Sequence, residues 1–396
     1  MIRRSALTLM ASVVLLIALG FIMLMSTGGY SQESANDEWA GMRKQAIWLL
    51  LGITGCWIMA SVDYRGLQRL AWPVFWLAVL ALGLCYVPGI GVEVNGAKRW
   101  IAVPGIKALQ GQPSEFGRLA VIIAMAAWCA KYRDERKSFL KGFVLPMCVV
   151  ALPIGLIAGE VDLGTTCLLF MVCASMLFVG GARVVYLVGM IAVGAGLFFA
   201  AINFGEGKQM GNRKARMTAF MHLGDEAFAR EFPDIAELNN QQNQGILALG
   251  SGGPLGRGVG EGRQKQHYLP LCHTDFIFPV IGEELGVGAT LGTIMAVVCL
   301  ALSGLLIAAH APDRFGKLLG TGLVLLIVYQ ALINIGVTTG CLPNKGMPLP
   351  FVSYGGSNLL SCLLAVGILL NIYRHGRPAV LASDPVLRAP KLTPAL

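Results

Sequence analysis

The chain has 396 residues, of which 55% are hydrophobic and only 13% are charged, and its mean hydropathy is +0.66. A soluble domain carries about a quarter charged residues, so this composition excludes a water-soluble globule and indicates a membrane protein. The net charge of +9 would favour nucleic acid as the partner of a soluble protein, but no basic-aromatic binding module is visible and we expect no nucleic-acid partner.

The first element is an uncharged run from Ser5 to Gln32, which follows Met-Ile-Arg-Arg. It is long enough to span a bilayer, so we interpret it as a retained transmembrane helix and not as a cleaved signal peptide. About 20 apolar residues are needed for one span. The sequence predicts an all-α, polytopic membrane protein with about ten spans, near 6–28, 45–62, 71–90, 114–130, 142–159, 164–182, 184–204, 276–309, 318–340 and 355–373.

Basic residues in the short loops predict the orientation. Short loops rich in Lys and Arg remain in the cytoplasm, so we expect both termini to be cytoplasmic. The domain organisation that follows is one transmembrane domain over 1–378 and a cytoplasmic C-terminal tail over 379–396. The residues that share the predicted cytoplasmic side are Arg3, Arg4, Arg65, Arg69, Lys131, Arg133, Arg136, Lys137, Lys141, Arg183, Arg314, Lys317, Arg374 and Arg377.

A large extracytoplasmic loop is predicted over 204–275, between helices 7 and 8. It is too long for a structureless connector, and residues 223–232 are expected to form a short interfacial helix. The stretch from Gly250 to Gly260 holds six glycines and a proline among its eleven residues. It is therefore predicted to form neither regular helix nor strand.

Ionisable residues within membrane spans are costly and usually functional. Glu115 and Arg118 follow Gln112-Pro113-Ser114, a typical helix start, and they lie one turn apart on one face. Two interpretations remain open: an ion pair that only allows two charges to enter the bilayer, or a charged wall of a polar cavity.

Asp162 precedes an apolar run, in the string Glu160-Val161-Asp162-Leu163-Gly164-Thr165. It can cap the helix that follows. As a carboxylate at the outer rim of the membrane, it can instead bind a cation or substrate.

The string from His273 to Phe278 ends the large loop where the next apolar run begins. Asp275 would there be accessible to water yet close to apolar surroundings, which suits a general base with a raised pKa; the alternative is a helix N-cap. His273 is expected to be a hydrogen-bonding neighbour. Pro279 predicts an irregular first part of the helix that lines a cavity, and at least one of Glu283 and Glu284 is expected to face the bundle.

The stretch from Pro343 to Ser357 holds three prolines and three glycines, which preclude a continuous helix. With Lys345, Ser353, Tyr354 and Ser357 it is typical of a re-entrant loop that faces a ligand. The same pattern is also compatible with the discontinuous helix of a transporter.

Taken together, these strings resemble the SEDS family (shape, elongation, division and sporulation proteins), and the resemblance covers nearly the whole chain. Six strings occur in the family's order. They are 95–101 (Asn-Gly-Ala-Lys-Arg-Trp-Ile), 112–115 (Gln-Pro-Ser-Glu), 162–165 (Asp-Leu-Gly-Thr), the glycine-rich 252–260, 273–286 (His-Thr-Asp-Phe-Ile-Phe to Glu-Glu-Leu-Gly) and 349–357 (Leu-Pro-Phe-Val-Ser-Tyr-Gly-Gly-Ser).

Within the family, Gln264-Lys265 and Pro343-Asn344-Lys345-Gly346 look more like the FtsW branch than the RodA branch. The resemblance implies about ten helices and a glycosyltransferase that polymerises lipid II, with Asp275 as the essential acid. It also implies a class B penicillin-binding protein (transpeptidase) as partner, together with other divisome proteins, and a role in septal synthesis.

The sequence departs from the family pattern in several places. Leu271-Cys272 stands where an acidic and a small residue are common, Glu160-Val161 replaces Gln-Pro, and Arg118 replaces a common lysine. Since Cys272 and Cys341 are both expected near the outer face, we hypothesise that they can form a disulfide in an oxidising compartment. No CxxC pair occurs among the ten cysteines, so a zinc or iron–sulfur site is not expected.

The implied reaction joins two undecaprenyl-linked sugars, and its pyrophosphate leaving group requires positive charge nearby. Arg99, Arg216, Lys265 and Lys345 are the candidates, with a divalent cation, Mg²⁺ or Mn²⁺, as a further expectation and no organic cofactor. The remaining substrate-contact candidates are Glu115, Arg118, Asp162, His273, Ser353, Tyr354 and Ser357.

Two other functions are compatible with the sequence. A flippase for lipid II would need polar groups through both leaflets, whereas those predicted here gather in the outer half. A scaffold that only recruits the transpeptidase would leave Asp275 without a role.

Overall fold

The computed structural model describes residues 2–28, 39–87, 90–94, 97–103, 106–160, 162–203, 208–266, 269 and 272–383. Ten long helices in this part of the chain coincide with the ten predicted spans. Seven of them, again among the described residues, are long and apolar enough to cross a membrane. The ten are α1 (Ile2–Thr27), α2 (Ala40–Ser61), α3 (Arg65–Leu84), α4 (Pro113–Lys131), α5 (Leu145–Gly159), α6 (Leu163–Gly180), α7 (Val184–Asn203), α12 (Ile277–Ala309), α13 (Arg314–Thr338) and α14 (Gly356–Ser383).

Helices α4, α13 and α14 form the centre of the bundle. Residues 117–127 of α4 are buried without interruption, and α13 packs against α4, α6 and α12. Many side chains on α1, α2 and α3 are instead exposed and apolar, as at Leu15, Trp57 and Leu77. Such a surface suits lipid and not water, which agrees with the membrane assignment.

A small antiparallel sheet, which the sequence did not predict, precedes α4. Its strands β1 (Gly91–Val94), β2 (Ala97–Val103) and β3 (Ile106–Gly111) pair in the order β1-β2-β3. Register shifts interrupt both ladders, so the regular alternation that predicts a strand is weak here. The protein remains all-α in class, with this sheet as an addition.

The large loop contains four helices, α8 (Lys208–Met221), α9 (Glu226–Glu231), α10 (Pro233–Glu237) and α11 (Asn240–Gly252). The short helix predicted within 223–232 is confirmed as α9, capped by Asp225 through the amides of Ala227 and Phe228; its place at the membrane interface stays a prediction. Residues 250–252 of the glycine-rich stretch belong to α11, so the prediction that they are non-helical is wrong. The turns begin at Gly253.

The glycine-rich turns dock onto a break in α12 at Gly286, whose φ of 78° and ψ of −174° are not helical. The amides of Arg257 and Gly258 donate to the carbonyls of Glu283 and Glu284, both at 2.9 Å. A Cβ on Gly256 would overlap the Glu284 carbonyl oxygen, so the close approach requires glycine.

The prediction that Pro279 disturbs the start of this helix is wrong. Pro279 lies in the first turn of α12, which begins at Ile277. A first-turn amide has no partner within the helix, so proline is tolerated there. The irregular backbone occurs two turns later, at Gly286.

The bundle has two ends, which are defined here by their contacts. At the basic end, Tyr64 and Arg65 both bond the carboxylate of Asp313, and His375 Nε2 lies 3.8 Å from Asp63 Oδ1. Helix α3 runs from there to the sheet end, which carries β1–β3 and the starts of α6 and α12.

Two further predictions concern cysteines and the C-terminus. None of the ten cysteines, all within the described ranges, forms a disulfide; Cys272 is buried and Cys341 is exposed. The hypothesised pair is therefore not present. Helix α14 extends to Ser383, into the predicted tail, and residues 384–396 lie outside the described ones.

Candidate functional site

Asp275 lies at the sheet end, two residues before α12. The cap residue of α12 is Phe276, so the N-cap interpretation of Asp275 is wrong. Asn334 of α13 holds the segment in place, since its Nδ2 donates to the Asp275 carbonyl at 2.7 Å and to the Met347 carbonyl at 2.6 Å. A Cβ on Gly346 would overlap Asp275 Oδ2. The carboxylate thus rests against the backbone of the loop that connects α13 and α14.

A second carboxylate, that of Asp162, lies beside Lys345 of the same loop. The Lys345 Nζ to Asp162 Oδ1 distance is 3.4 Å. Asp162 also caps α6, accepting from the Thr165 amide at 3.2 Å and from its hydroxyl at 2.9 Å. A Cβ on Gly164 would lie 2.8 Å from Lys345 Cε. The predicted helix cap is therefore confirmed, and Gly164 allows the lysine to approach; the binding of a cation or substrate by Asp162 stays a prediction.

Arginine side chains add positive charge around these carboxylates. Arg99 of β2 donates through Nε to the Glu160 carbonyl at 3.0 Å, and its charge acts on Asp162. Arg216 of α8 is exposed and its charge acts on Lys345. The structure thus brings the predicted residues Arg99 and Lys345 to Asp162, and the charge of Arg216 reaches Lys345.

These charges set the protonation of the site. Burial, reinforced by the negative charge of Asp162, raises the pKa of Asp275 to about 6, although Lys345 acts in the opposite direction. Burial alone would raise the pKa of Asp162 as well, but Lys345, Arg99 and the bonds from Thr165 lower it below its ordinary value. Burial raises the pKa of Glu160 to about 7. Asp162 is therefore a permanent anion, whereas Asp275 can exchange a proton near neutral pH.

The loop after α13 is held against the segment before α12 by hydrogen bonds. Ser353 Oγ donates to the Thr274 carbonyl at 2.5 Å and accepts from the Leu349 amide at 2.8 Å. The Tyr354 amide donates to the His273 carbonyl at 2.9 Å, and the two rings lie 5.7 Å apart. The non-helical course predicted for this loop is confirmed over 341–355.

The four candidates in this region consequently differ in what they contact. Ser353, Tyr354 and His273 fix the backbone around Asp275. Ser357 is buried in the first turn of α14. The contacts of Ser353 assign it a positioning role, and substrate contact by His273, Tyr354 and Ser357 stays a prediction.

Glu115 and Arg118 form an ion pair in the interior of the bundle. Arg118 Nη1 donates to Gln330 Oε1 at 3.0 Å, and the Ser361 hydroxyl donates to Glu115 Oε2 at 3.2 Å. Gln330 continues the network to the Pro348 carbonyl at 2.8 Å. Buried charges need such partners, and this network ties α4, α13 and α14 to the loop that carries Lys345.

Glu283 and Glu284 are both buried, so the prediction that at least one faces the bundle is confirmed. Glu283 Oε1 accepts the Arg263 amide at 2.8 Å. Glu284 Oε1 lies 2.6 Å from Lys265 Nζ, and Glu284 Oε2 accepts the Ser26 hydroxyl at 2.6 Å. Their contacts are with the glycine-rich turns and the end of α1.

Lys265 was predicted to bind substrate, but the structure places it elsewhere. Its side chain is 1% exposed, and its Nζ donates to Ser26 Oγ at 2.7 Å while it pairs with Glu284. A lysine so buried is closed to substrate, and its removal would leave the Glu284 carboxylate as an uncompensated buried charge. We therefore correct this assignment to a structural role.

Sequence analysis missed the uncharged amides that organise the site, namely Asn334, Gln330, Asn358 and Gln242. Gln330 and Asn334 lie one turn apart on α13, and Gln242 Nε2 joins α11 to the carbonyls of Val337 and Leu342 at 2.6 and 2.7 Å. Amides in apolar helices commonly bond neighbouring helices, so their occurrence at i and i+4 was the available signal.

The side chains do not form a protein-built metal site. Among the described residues, no group of three or more His, Cys, Asp or Glu is close enough to hold an ion. The Lys345 ammonium already neutralises Asp162. The donor set does not fit a resident divalent cation.

Comparisons with known proteins show similarity along nearly the whole chain. The family profile described as "Cell cycle protein", which groups FtsW, RodA and SpoVE, matches residues 6–378. A probable peptidoglycan glycosyltransferase FtsW of Geobacter metallireducens is 36% identical over 94% of this chain and 95% of its own. Stage V sporulation protein E of Bacillus subtilis is 35% identical over 92% and 95%.

Solved structures with the same fold were also found. A chain from a study of how a peptidoglycan synthase complex coordinates polymerisation and crosslinking superposes with a TM-score of 0.72, at 24% identity over 93% of this chain and 97% of its own. The Thermus thermophilus rod shape determining protein RodA superposes with a TM-score of 0.64, at 25% identity over 92% and 95%.

Proposed function

This chain belongs to the family of FtsW, RodA and SpoVE, and from that membership and the geometry of the site we infer that it is a peptidoglycan glycosyltransferase. Curated relatives that match almost end to end carry that name. The observation that supports the inference most directly is a carboxylate with a pKa of about 6, Asp275, beside a lysine and a permanently ionised aspartate.

The proposed reaction joins lipid II to a growing, undecaprenyl-pyrophosphate-linked glycan. The 4-hydroxyl oxygen of the incoming sugar attacks C1 of the chain-end sugar, and the bond from C1 to the pyrophosphate oxygen breaks. Asp275 accepts the hydroxyl proton. A sugar hydroxyl is a poor nucleophile at neutral pH, and general-base help of this kind contributes typically about 10²–10⁴-fold in rate.

The leaving pyrophosphate develops negative charge, which Lys345, Arg99 and Arg216 neutralise in this proposal. Fixed positive groups at the position where charge develops stabilise the transition state. Asp162 keeps the Lys345 ammonium at the site. A divalent cation, Mg²⁺ or Mn²⁺, would in this proposal be bound mainly by the pyrophosphate itself, because the part of the chain that the structure describes offers no complete ligand set.

The proposed topology places the sheet end outside the cell and the basic end in the cytoplasm of an inner-membrane protein with both termini cytoplasmic. The excess of Lys and Arg in the short loops of the basic end supports it. A class B penicillin-binding protein is the proposed partner, within the divisome. The likeness to a synthase complex and to FtsW proteins supports this partner and a septal role.

Polymerisation of labelled lipid II by the purified protein with its transpeptidase partner tests the proposal. Asp275→Asn keeps the shape of the side chain but cannot accept the proton, and strand synthesis should fall by about 10²–10⁴-fold. Glu261→Gln, which removes an exposed acid from the same large loop, should polymerise normally. Normal strand synthesis by Asp275→Asn would exclude it as the base, and transfer of lipid II across vesicles without polymerisation would favour a flippase.

A further inference from the structure

A small cavity that is open to the surface lies at the basic end, remote from Asp275. It is formed where α4 ends, where the π-helical turn Leu140–Val144 leads into α5, and where α6 ends. Trp128 and Tyr132 line one side and Arg136 and Lys141 another. Its enclosed volume is about 10 Å³, about that of one water molecule, so a ligand at this place would lie over the mouth of the cavity and not within it.

Arg136 lines this cavity, and two further guanidinium groups lie near it. Arg314 Nη2 donates to the carbonyl of Gly180, a lining residue, at 2.6 Å. The charges of Arg133 and Arg136 both act on Arg314, opposed by the single carboxylate of Asp134. Three positive charges against one negative charge leave the cavity cationic.

Lys141 and Glu135, which lie nearby, do not change the net positive charge around the cavity. Lys141 Nζ pairs with Glu135 Oε2 at 2.7 Å, so these two charges neutralise each other. The Trp128 indole donates to the Lys141 carbonyl at 3.1 Å, which fixes the aromatic wall. The arginines therefore remain the groups available to an anion.

Apolar side chains continue from the cavity along the outside of the bundle. Phe139 and Leu140 are 58% and 55% exposed, and Phe178 and Val179 are 60% and 51% exposed. In a bilayer, this strip faces acyl chains. A molecule that matches both parts has an anionic head and apolar tails.

We propose that the basic surface at the mouth of this cavity, where Arg136 lies with Arg314 and Arg133 nearby and Trp128 and Tyr132 as an aromatic wall, binds the phosphodiester headgroup of an anionic phospholipid of the cytoplasmic leaflet. Arginine forks match phosphate oxygens geometrically, and basic pockets between transmembrane helices at the cytoplasmic side suit such headgroups. The assignment of the leaflet follows the proposed topology. The site is separate from the polymerisation site, so its failure would leave the glycosyltransferase inference unaffected.

Lipid retention by the full-length protein, measured by native mass spectrometry from detergent, tests the proposal with phosphatidylglycerol, phosphatidylcholine and inorganic phosphate as probes. The wild type should retain phosphatidylglycerol in preference to phosphatidylcholine. Each basic group at an anionic surface contributes a factor of about five, so Arg133→Gln/Arg136→Gln should weaken retention about 25-fold. Arg69→Gln/Arg374→Gln, which removes two exposed arginines elsewhere on the same end, should not.

Three results would overturn the proposal: equal retention of both lipids by the wild type, equal retention of phosphatidylglycerol by the two double variants, or displacement of the lipid by millimolar inorganic phosphate. The first and third use only the wild type, so they decide the question even where a variant folds poorly. Helix content by circular dichroism verifies the fold of both variants.

Discussion

The ammonium of Lys345 lies 3.4 Å from the carboxylate of Asp162, although the two residues are 183 positions apart (345 − 162) in the sequence. Asp162 starts α6 and Lys345 lies in the loop after α13, so the pair joins two separate helices at the mouth of the site. The same aspartate raises the pKa of Asp275. The ion pair therefore holds the ammonium of Lys345 at the site, and its aspartate raises the pKa of the proton acceptor, Asp275.

Replacement of Lys345 by alanine should reduce polymerisation more than stability. The lysine side chain is 26% exposed but Asp162 is buried. Because Arg99 and Thr165 still act on Asp162 in the variant, the loss of stability should stay below about 3–5 kcal/mol, the cost of a buried charge that is left without a partner. The loss of a fixed positive group at the leaving oxygen should cost about a hundredfold in rate. The measurement is strand synthesis together with the melting temperature in detergent. The control is Lys317→Ala, which removes an exposed lysine on the basic end. Parallel losses of rate and stability in Lys345→Ala would assign Lys345 to the fold alone.

The polymerisation rate should rise with pH through a midpoint near 6, because Asp275 must be ionised to accept a proton and its pKa is about 6. Asp162→Asn should move that midpoint to lower pH, since it removes the negative charge that disfavours ionisation. Asparagine caps helices about as well as aspartate, so α6 should persist. Initial rates from pH 5 to pH 8 provide the test.

Glu160→Gln is the control for this pH profile. It removes a second carboxyl, whose pKa is about 7, without touching Asp275. A midpoint near 6 that persists in Glu160→Gln and disappears in Asp275→Asn would confirm the assignment. If the midpoint instead moves only in Glu160→Gln, the titrating group is not Asp275.

The free energy of unfolding should change with pH in the direction opposite to the polymerisation rate, as far as Asp275 contributes to it. The pKa of Asp275 rises from 3.8 to about 6 on folding, so the unfolded chain releases this proton first as the pH increases. The contribution of this carboxyl is therefore most favourable below pH 4 and decreases until about pH 6.

Gly346→Ala should impair catalysis through crowding of Asp275. The new Cβ would overlap Asp275 Oδ2, and misplacement of a catalytic group by about 1 Å can cost about a hundredfold in rate. Gly355→Ala is a matched control in the same loop, because its Cβ would meet only ordinary contact, 3.7 Å from Asn358. Equal rates for the two variants would show that Asp275 tolerates displacement.

Gly286→Ala should destabilise the protein. Its φ of 78° is left-handed, which costs a residue with a Cβ about 1–2 kcal/mol, and the Cβ would also lie 2.5 Å from the Gly256 amide nitrogen. Gly288→Ala, whose Cβ would meet nothing within 4 Å, should stabilise the helix by about 0.5–1 kcal/mol. Thermal unfolding in detergent compares the two, and an unchanged melting temperature for Gly286→Ala would contradict the docking of the glycine-rich turns.

Much of the fold could be predicted because membrane spans are encoded locally. About 20 apolar residues suffice to define a span, and all ten predicted spans correspond to helices. Asp275 and Asp162 were identifiable because a carboxylate at the edge of an apolar run is unusual. The small sheet was missed because its irregular register leaves little alternation in the sequence.

The amino-acid sequence by itself determined that this is a helical membrane protein, the order of its spans and the position of its unusual carboxylates, because hydropathy and charge act over short stretches of chain. Only the tertiary structure decided that Lys345 pairs with Asp162 while Lys265 pairs with Glu284. Each lysine lies in a loop that precedes a long helix, Lys265 before α12 and Lys345 before α14. Their roles differ because the folded chain packs them against different partners. A charge buried in an apolar bundle pairs with whichever opposite charge the folded helices bring within reach, and that distance does not follow from sequence separation.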